Sequence, residues 1–196
     1  MTRILCVDDN VMLAELFIEI LTLENYETKA VFSGEECLCL LRDGSFYPDL
    51  ILLDIMMVPM DGWETLKNIR NNPQWADIPV VMLTGKHPTM NDAETYCEMI
   101  EDYFIKPYTP NQLLEEIKQV LKRVKHSRNV EKMARDHGID DSFILNYRTL
   151  TSAIETLKKF KAVIGDIEPF REDLLITKEQ QLTLVKNQLS AVEIDV

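Results

Sequence analysis

Glycine and proline are scarce in this sequence, with 6 and 8 residues among 196. This composition excludes collagen-like and low-complexity classes of protein. No apolar run approaches the roughly 18 residues that a membrane-spanning helix needs, and the first residues do not form a signal-peptide pattern. Because 46% of the residues are hydrophobic, we expect a globular, cytoplasmic protein without membrane association.

Cysteine and histidine are also rare, with four and three residues. No two cysteines have the CxxC spacing of a zinc site, and no histidine cluster accompanies them. We therefore expect the cysteines to behave as small hydrophobic side chains in a reducing compartment. They are Cys6, Cys37, Cys39 and Cys97.

Basic residues are fewer than acidic residues in this sequence. The chain has 21 Lys and Arg against 33 Asp and Glu, which gives a net charge of −12. Since contacts to nucleic-acid phosphates require clustered Lys and Arg, this balance argues against binding to polyanions. The charge is uneven, because residues 1–124 carry 10 basic and 21 acidic residues and residues 125–196 carry 11 and 12. The sequence thus has two regions of different character.

Short apolar runs alternate with helical patterns over the first 124 residues. The apolar runs predict strands at 4–7, 29–32, 50–53, 80–83 and 103–105. The helical spacing of apolar residues predicts helices at 11–23, 35–41, 63–69, 91–100 and 113–124. This alternation predicts an α/β fold, a five-stranded parallel doubly wound sheet with helices on both faces.

Polar side chains stand at the carboxyl ends of four predicted strands, where parallel sheets bind their ligands. Asp8 and Asp9 follow the first strand, Asp54 ends the third, Thr84 ends the fourth, and Lys106 ends the fifth. Three neighbouring carboxylates repel one another, and a hard divalent cation such as Mg²⁺ relieves that repulsion through oxygen ligands. The strand ends therefore predict a magnesium site.

The same group of residues suits phosphoryl chemistry. A carboxylate beside a divalent metal can act as a nucleophile and form an aspartyl-phosphate. A lysine and a hydroxyl can bind the phosphoryl oxygens whose charge the metal does not offset. Each residue alone is more often a turn or a helix cap, but their common position at the strand ends favours a functional site.

The segments "ILCVDDN", "DLILLDIMMVPMDGWETL", "PVVMLTG" and "DYFIKPY" resemble the receiver domain of two-component response regulators, the CheY-like family. The resemblance implies a flavodoxin-like fold over residues 1–124 with Asp54 as the phosphoacceptor. It also implies that Asp9 ligates Mg²⁺ directly, that Asp8 acts mostly through water, and that the Met56 carbonyl completes the site. Thr84 and Lys106 would contact the phosphoryl group.

The family resemblance further implies a sensor histidine kinase as the partner and Tyr103 as an aromatic switch that works with Thr84. Such a domain catalyses phosphoryl transfer to itself and its own dephosphorylation, and is not otherwise an enzyme. The sequence departs from the family pattern in two respects. Val58 stands where the loop usually has proline, with Pro59 following, and Lys86 and Met56 stand near the expected path of attacking water. We expect the latter two to alter the phosphoryl lifetime.

The remainder of the chain predicts a helical extension, with a linker or helix continuation at 125–140 and a helical hairpin at 141–196. Apolar residues at 143, 147, 150, 154, 157 and 164, and again at 175, 182, 185, 189 and 192, follow heptad-like spacing. Because one hairpin exposes a long apolar seam, we expect a homodimer with a four-helix bundle. The alternative is that the hairpin folds back on the fifth helix within one chain.

Two further interpretations of this extension stay open. Its segments "NYRTLTSAIETL" and "QLTLVKNQLSAVEID" resemble a degenerate dimerisation and phosphoacceptor domain of histidine kinases, with Leu145 where the phosphorylated histidine would be. Residues 130–150 also fit the spacing of a helix-turn-helix, which would make the protein a DNA-binding transcriptional regulator. The acidic pair Asp140 and Asp141 at the start of the recognition helix disfavours that alternative.

Overall fold

The computed structural model describes residues 1–165, 167 and 169–191. Its elements are β1 Arg3–Val7, α1 Val11–Leu23, β2 Glu27–Val31, α2 Gly34–Asp43, β3 Leu50–Asp54, α3 Gly62–Asn71, β4 Val80–Thr84, α4 Met90–Tyr96, β5 Asp102–Ile105, α5 Pro110–Asp136, α6 Asp141–Ile164 and α7 Glu172–Ser190. The predicted alternation of strands and helices is confirmed. So is the prediction of helices after the α/β region.

The five strands form one sheet in the order β2-β1-β3-β4-β5. β1 pairs in parallel with β2 and β3, and β3 pairs in parallel with β4. All five residues of β3 and of β4 are buried, as expected for central strands covered on both faces. β1, β3 and β4 are neighbours in this order and run in parallel, so their carboxyl ends lie side by side.

Local signals explain where the helices begin. The side chains of Asn10, Ser33 and Asp61 accept hydrogen bonds from the first turns of α1, α2 and α3, which satisfies backbone donors that have no partner within the helix. Thr89 and Asp92 form a reciprocal capping box at the start of α4. Each of these four helices therefore begins at a side chain that caps it.

The chain divides into two compact units. The first comprises Met1–Lys86 and Tyr103–Ile117, and the second comprises His87–Asp102 and Lys118–Val196. This division does not follow the sequence boundary expected at residue 124, because α4 groups with the C-terminal helices rather than with the sheet.

In the second unit, α5, α6 and α7 share a hydrophobic core. Val130 and Ala134 of α5 pack with Tyr147 of α6 and with Val185 and Leu189 of α7. The apolar seam of α6 is therefore covered within one chain over the described residues, including the fully buried Phe160 and Ile164. This arrangement corresponds to the intrachain alternative for the hairpin. The predicted seam position 192 lies outside the described residues.

The long continuous helix α5 ends at a turn in which Gly138 has a φ of 74°, a conformation that favours glycine.

Among the described helices, none combines the length and the apolar character required to cross a membrane.

Candidate functional site

Three carboxylates meet at the carboxyl end of the sheet. One oxygen from each of Asp8, Asp9 and Asp54 lies within 4.8 Å of the others. Asp8 and Asp54 are 2% and 3% exposed, whereas Asp9 is exposed to solvent. β1 and β3 are neighbours in parallel register, with Val7 opposite Leu53, so the residues that follow these two positions are brought together. The predicted convergence of the three acidic residues is therefore present in the structure.

Lys106 reaches into this cluster from the end of β5. Its Nζ donates hydrogen bonds of 2.7 Å to Asp8 Oδ2 and of 2.7 Å to Asp54 Oδ1. The Lys106 backbone N–H also bonds to Thr84 O at the end of β4. The ammonium therefore offsets part of the negative charge of two buried carboxylates, and the pairing of main chains fixes its position.

The backbone around Asp54 is closely packed. The Met56 N–H donates to Asp54 Oδ2 at 2.8 Å, while the Met56 side chain is 61% exposed. A Cβ placed on Gly62 would lie 2.2 Å from Asp54 O and 2.8 Å from Ile55 Cα. A side chain at position 62 would therefore collide with the backbone of β3 and of the residue after it. Asp61 caps α3, and the glycine that follows it leaves room for this backbone. Glycine allows α3 to begin directly against the strand end that carries Asp54.

Burial and charge perturb both members of the Asp54–Lys106 pair. Burial raises the pKa of Asp54 above its ordinary value, and the hydrogen bond and charge of Lys106 oppose this rise without cancelling it. Burial lowers the pKa of Lys106, but its hydrogen bonds to Asp54 and Asp8 outweigh that effect, and its pKa lies above its ordinary value. The ammonium form of Lys106 is therefore stabilised by its two carboxylate partners. The carboxyl group of Asp54 has little contact with solvent.

Thr84 and Tyr103 are linked through the backbone of Lys86. The Thr84 side chain is fully buried, and its Oγ1 accepts a hydrogen bond of 3.0 Å from the Lys86 N–H. The Tyr103 hydroxyl donates to Lys86 O at 3.1 Å. Thr84 also follows Leu83, the register partner of Asp54. The two predicted switch residues thus hold one peptide segment from both sides.

Sequence reasoning missed two aromatic residues beside this site. Trp63 stacks on Tyr103, with ring centroids 6.4 Å apart. Tyr108, two residues after Lys106, packs against Phe17 at 5.9 Å, and within the described part of the chain its hydroxyl is enclosed without a hydrogen-bond partner. Burial raises the pKa of Tyr108, as do the charges of Asp8 and Asp54. Neither residue has a spacing signal, because both contacts join distant parts of the sequence.

The residues present fit a hard divalent cation such as Mg²⁺. The cluster offers oxygen ligands alone, which that class of ion prefers. Asp8 Oδ1 accepts a hydrogen bond from the Asn10 N–H at 3.0 Å, which holds the carboxylate in place. Exposed Asp9 leaves the cluster open to solvent on one side, as an ion that retains several waters requires.

A parallel doubly wound sheet with this acidic cluster, a buried threonine and a lysine at its carboxyl end defines the class of CheY-like receiver domains. The family model for the response regulator receiver domain matches residues 4–118, which is more than half of the chain. The protein belongs to the response regulator receiver family.

Individual relatives agree with this assignment. The transcriptional regulatory protein BaeR of Escherichia coli O6:H1 is 33% identical over 130 residues, which are 66% of this chain and 52% of that protein. The N-terminal domain of a response regulator receiver protein from Methanoculleus marisnigri JR1 is 50% identical, with a TM-score of 0.52, and the match covers 62% of this chain and 97% of that structure.

A third relative was solved as a complex with a metal ion. The response regulator TrrA of Thermotoga maritima, in complex with Mg²⁺ and BeF, is 30% identical with a TM-score of 0.52, and the match covers 61% of this chain and 99% of that structure. The chain spans about half the length of the curated relatives that it matches. The similarity thus establishes the receiver region and leaves the helical extension to be explained from its own residues.

Proposed function

We propose that this protein is a response regulator that accepts a phosphoryl group on Asp54 from the phosphohistidine of a sensor kinase, in the presence of Mg²⁺. The observation that carries the proposal is the meeting of Asp8, Asp9 and Asp54 within 4.8 Å, with Lys106 Nζ 2.7 Å from Asp54 Oδ1. A nucleophilic carboxylate, acidic metal ligands and a fixed cation are the groups that phosphoryl transfer to an aspartate requires.

In the proposed transfer, an oxygen of Asp54 attacks the phosphorus atom. The new O–P bond forms as the P–N bond to the kinase histidine breaks, and the imidazole nitrogen keeps the electron pair of that bond. The Met56 N–H holds one oxygen of Asp54, which orients the carboxylate. Burial of Asp54 removes water that would otherwise solvate the nucleophile.

The remaining residues stabilise the charge of the transferred group. Lys106 already lies beside Asp54 and can pair with a phosphoryl oxygen, and the Thr84 hydroxyl can donate to another. Asp8, Asp9, Asp54 and the Met56 carbonyl would hold Mg²⁺, which supplies positive charge to offset the phosphoryl oxygens.

Phosphorylation of the purified chain by acetyl phosphate with Mg²⁺ tests the proposal directly. We expect the intact mass to gain one phosphoryl group in the natural protein and no gain in Asp54→Asn. Asp61→Asn is the matched control, since asparagine also caps α3 and Asp61 lies outside the acidic cluster. Phosphorylation of Asp54→Asn at the natural level would refute Asp54 as the acceptor.

Exposed apolar side chains beside the site support a protein as phosphoryl donor. Met12 and Val11, at the start of α1, are 82% and 45% exposed, and they closely follow Asp8 and Asp9 in the chain. A groove lined by Leu16, Phe17 and Tyr108, among other residues, lies along the same helix. Exposed apolar patches of this kind mark protein interaction sites. We expect Met12→Asp to slow transfer from a kinase while transfer from acetyl phosphate keeps its natural rate.

The side chains of Met56 and Lys86 are proposed to set the lifetime of the phosphoryl group, because both positions flank Asp54 and Thr84 in the loops that follow β3 and β4. The decay of phosphoprotein after removal of acetyl phosphate measures that lifetime. Equal decay rates in the natural protein, Met56→Asn and Lys86→Glu would refute the proposed role.

Homodimerisation through the helical extension stays part of the proposal, on a narrower surface than the sequence indicated. The α6 seam is covered by α5 and α7, so the large apolar side chains that α6 and α7 expose are Leu145, Ile176 and Leu184. Light scattering over a range of concentrations tests this. If the 196-residue chain stays monomeric with and without beryllofluoride, dimerisation is refuted.

Transcriptional regulation through DNA is the alternative, favoured by the names of curated relatives such as BaeR. The turn between α5 and α6 lies in the predicted helix-turn-helix region, but Asp140 caps α6 and Asp141 pairs with Arg135 at 2.7 Å. These carboxylates would repel phosphates at the start of the second helix. Salt-dependent binding to DNA fragments would favour the alternative over a protein output.

A further inference from the structure

The Tyr108 hydroxyl is a buried hydrogen-bond donor beside the acidic cluster. It is enclosed by protein atoms, and no residue in the described part of the chain forms a hydrogen bond with it. Burial of a hydroxyl without a partner costs free energy, whereas a phenylalanine would fill the same space without that cost. Buried polar groups in native proteins almost always have partners. The acceptor for this hydroxyl is therefore to be sought among the groups around it.

The neighbouring elements fix the position of Tyr108. It lies between Lys106 and the start of α5, where the Thr109 N–H donates to Gln112 Oε1 at 2.8 Å and the Gln112 N–H donates to Thr109 Oγ1 at 3.3 Å. Its ring packs against Phe17 of α1, with centroids 5.9 Å apart. The ring lines the groove beside α1, but the hydroxyl is enclosed. The hydroxyl therefore points into the protein.

The charged groups that act on this hydroxyl belong to the acidic cluster. Burial raises the pKa of Tyr108, and the charges of Asp8 and, to a smaller extent, Asp54 raise it further. The hydroxyl therefore keeps its proton and can donate a hydrogen bond to a carboxylate. Asp54 is the proposed phosphoacceptor, so Asp8 is the buried carboxylate that keeps both of its oxygens after phosphoryl transfer.

Asp8 relies on Lys106 for one of its hydrogen bonds. Asp8 Oδ1 accepts from the Asn10 N–H at 3.0 Å, and Asp8 Oδ2 accepts from Lys106 Nζ at 2.7 Å. Asp8 is only 2% exposed, so bulk water has little access to replace a lost donor. In the proposed transfer, the Lys106 ammonium pairs with a phosphoryl oxygen and leaves Asp8 Oδ2. Loss of a charged donor from a buried carboxylate is costly.

We propose that Tyr108 is a positioning residue whose hydroxyl donates to Asp8 Oδ2 when the Lys106 ammonium turns to a phosphoryl oxygen on Asp54. The inference rests on the proposed function at Asp54. Tyr108 forms no covalent bond and loses no proton in this role. Because each carboxylate oxygen has two lone pairs, the new hydrogen bond is compatible with the proposed part of Asp8 in holding Mg²⁺. The groove beside the ring, of about 230 Å³, gives the ring room to move as the bond forms.

Urea unfolding of the 196-residue chain, with and without Mg²⁺ and beryllofluoride, tests the proposal. Without these ligands, Tyr108→Phe should be at least as stable as the natural protein, because it removes a donor that has no acceptor. With them, its unfolding midpoint should rise less, since a bound ligand stabilises the folded chain according to its affinity. Tyr47→Phe is the matched control. The Tyr47 hydroxyl already donates to Gln74 O at 2.8 Å, so its loss should lower both midpoints equally.

Three outcomes of this measurement would contradict the proposal. Equal ligand-induced rises in the natural protein and Tyr108→Phe would overturn the inference alone, because a purely structural hydroxyl shifts both midpoints by the same amount. A lower midpoint for Tyr108→Phe without ligands would show that the hydroxyl already has a partner, and would overturn it too. No rise in the natural protein, together with no phosphorylation by acetyl phosphate, would overturn the proposed function and the inference with it.

The Lys106→Met background gives a second measurement that needs neither metal nor phosphoryl group. Without the ammonium, Asp8 Oδ2 lacks its donor in the unphosphorylated protein, and the Tyr108 hydroxyl should bond to it there. Tyr108→Phe should therefore lower the urea midpoint in this background, although it does not lower it in the natural one. If Tyr108→Phe has the same effect in both backgrounds, the hydroxyl does not replace the lysine and the inference fails, while the proposed phosphoacceptor is unaffected.

Discussion

Trp63 and Tyr103 stack on each other, with ring centroids 6.4 Å apart and ring planes inclined by 22°. Trp63 lies in the first turn of α3 and Tyr103, the predicted switch residue, lies in β5, so the contact joins distant parts of the sequence. The stack holds the Tyr103 ring while its hydroxyl bonds to Lys86 O. Offset aromatic contacts of this kind add about 0.5–1.5 kcal/mol beyond the burial of the rings.

Tryptophan fluorescence makes this contact measurable, because Trp63 and Trp75 are the two tryptophans of the chain. In a Trp75→Phe background, Tyr103→Ala should shift the Trp63 emission to longer wavelength, since removal of the ring exposes the indole to water. Tyr103→Phe keeps the ring and should leave the emission unchanged. Identical spectra for all three proteins would show that the stack does not form in solution.

The titration of Asp54 should show the effect of its burial. In the metal-free protein, carbon NMR of the side-chain carboxyl should give a midpoint above the ordinary aspartate value, because burial raises the pKa of Asp54. Lys106→Met removes the hydrogen bond and charge that lower this pKa, so its midpoint should move higher still. Asp43 is the internal control, because hydrogen bonds from Ser45 lower its pKa. A lower midpoint for Asp54 in Lys106→Met would contradict the assigned role of the lysine.

The sign of the pH dependence follows from that shift. In the proposed transfer the carboxylate form of Asp54 is the nucleophile, so phosphorylation should be lost as the pH falls through the pKa of Asp54. Bound Mg²⁺ favours the carboxylate form and opposes the rise in this pKa, so the loss should begin at a higher pH when Mg²⁺ is limiting than when it is saturating. In Lys106→Met the acid limb should move further toward neutral pH, which rates with acetyl phosphate at several pH values can measure.

Magnesium should stabilise the folded chain. A ligand present at about 100 times its dissociation constant adds about 2.7 kcal/mol to the free energy of unfolding, so the thermal midpoint should rise with Mg²⁺ concentration. Asp9→Asn should lose most of this rise, because it removes the exposed carboxylate of the cluster. Asp61→Asn should keep it. An equal rise in both variants would place the ion elsewhere.

Much of the sheet could be predicted from the sequence because its signals are local. The apolar runs of β3 and β4 are buried on both faces, and α1 begins and ends at the predicted residues. Asp8, Asp54 and Lys106 could be placed together because parallel strands carry their ends to one edge. These predictions needed no knowledge of which helix packs against which.

The partners of the helical extension could not be predicted in the same way. The spacing of Tyr147, Ile154 and Leu157 predicts that one face of α6 is buried, but it does not say whether a second copy or the same chain covers it. The contact with α4 has no spacing signal, because Glu94 and Arg171 are 77 residues apart. The stack of Trp63 on Tyr103 was missed for the same reason.

Gly62 should tolerate no side chain. Gly62→Ala places a methyl group against Asp54 O and Ile55 Cα, and we expect a loss of about 1–3 kcal/mol or more in unfolding free energy from overpacking. Gly85→Ala is the matched control, since a Cβ there meets no atom within 4 Å. Denaturant unfolding of both variants checks the difference. Equal stability of the two would contradict the close approach of α3 to β3.

The core of the second unit should depend on Phe160. Phe160→Ala removes a fully buried ring from α6, and we expect a loss of about 3–5 kcal/mol in unfolding free energy. Leu184→Ala is the control on α7, where the side chain is 66% exposed, and should change stability little. A large effect of Leu184→Ala that depends on protein concentration would instead indicate an interface with a second copy.

The grouping of α4 with the C-terminal helices has a consequence for protein engineering. A chimera built by joining another receiver domain to this extension at residue 124 would replace Glu94, Glu98, Glu101 and Asp102 with foreign residues. The ion pairs that these acidic residues form with Arg171, Lys178 and Lys159 would then be lost. The transplantable module is discontinuous in sequence, because the extension must bring residues 87–102 with it to keep its charges paired.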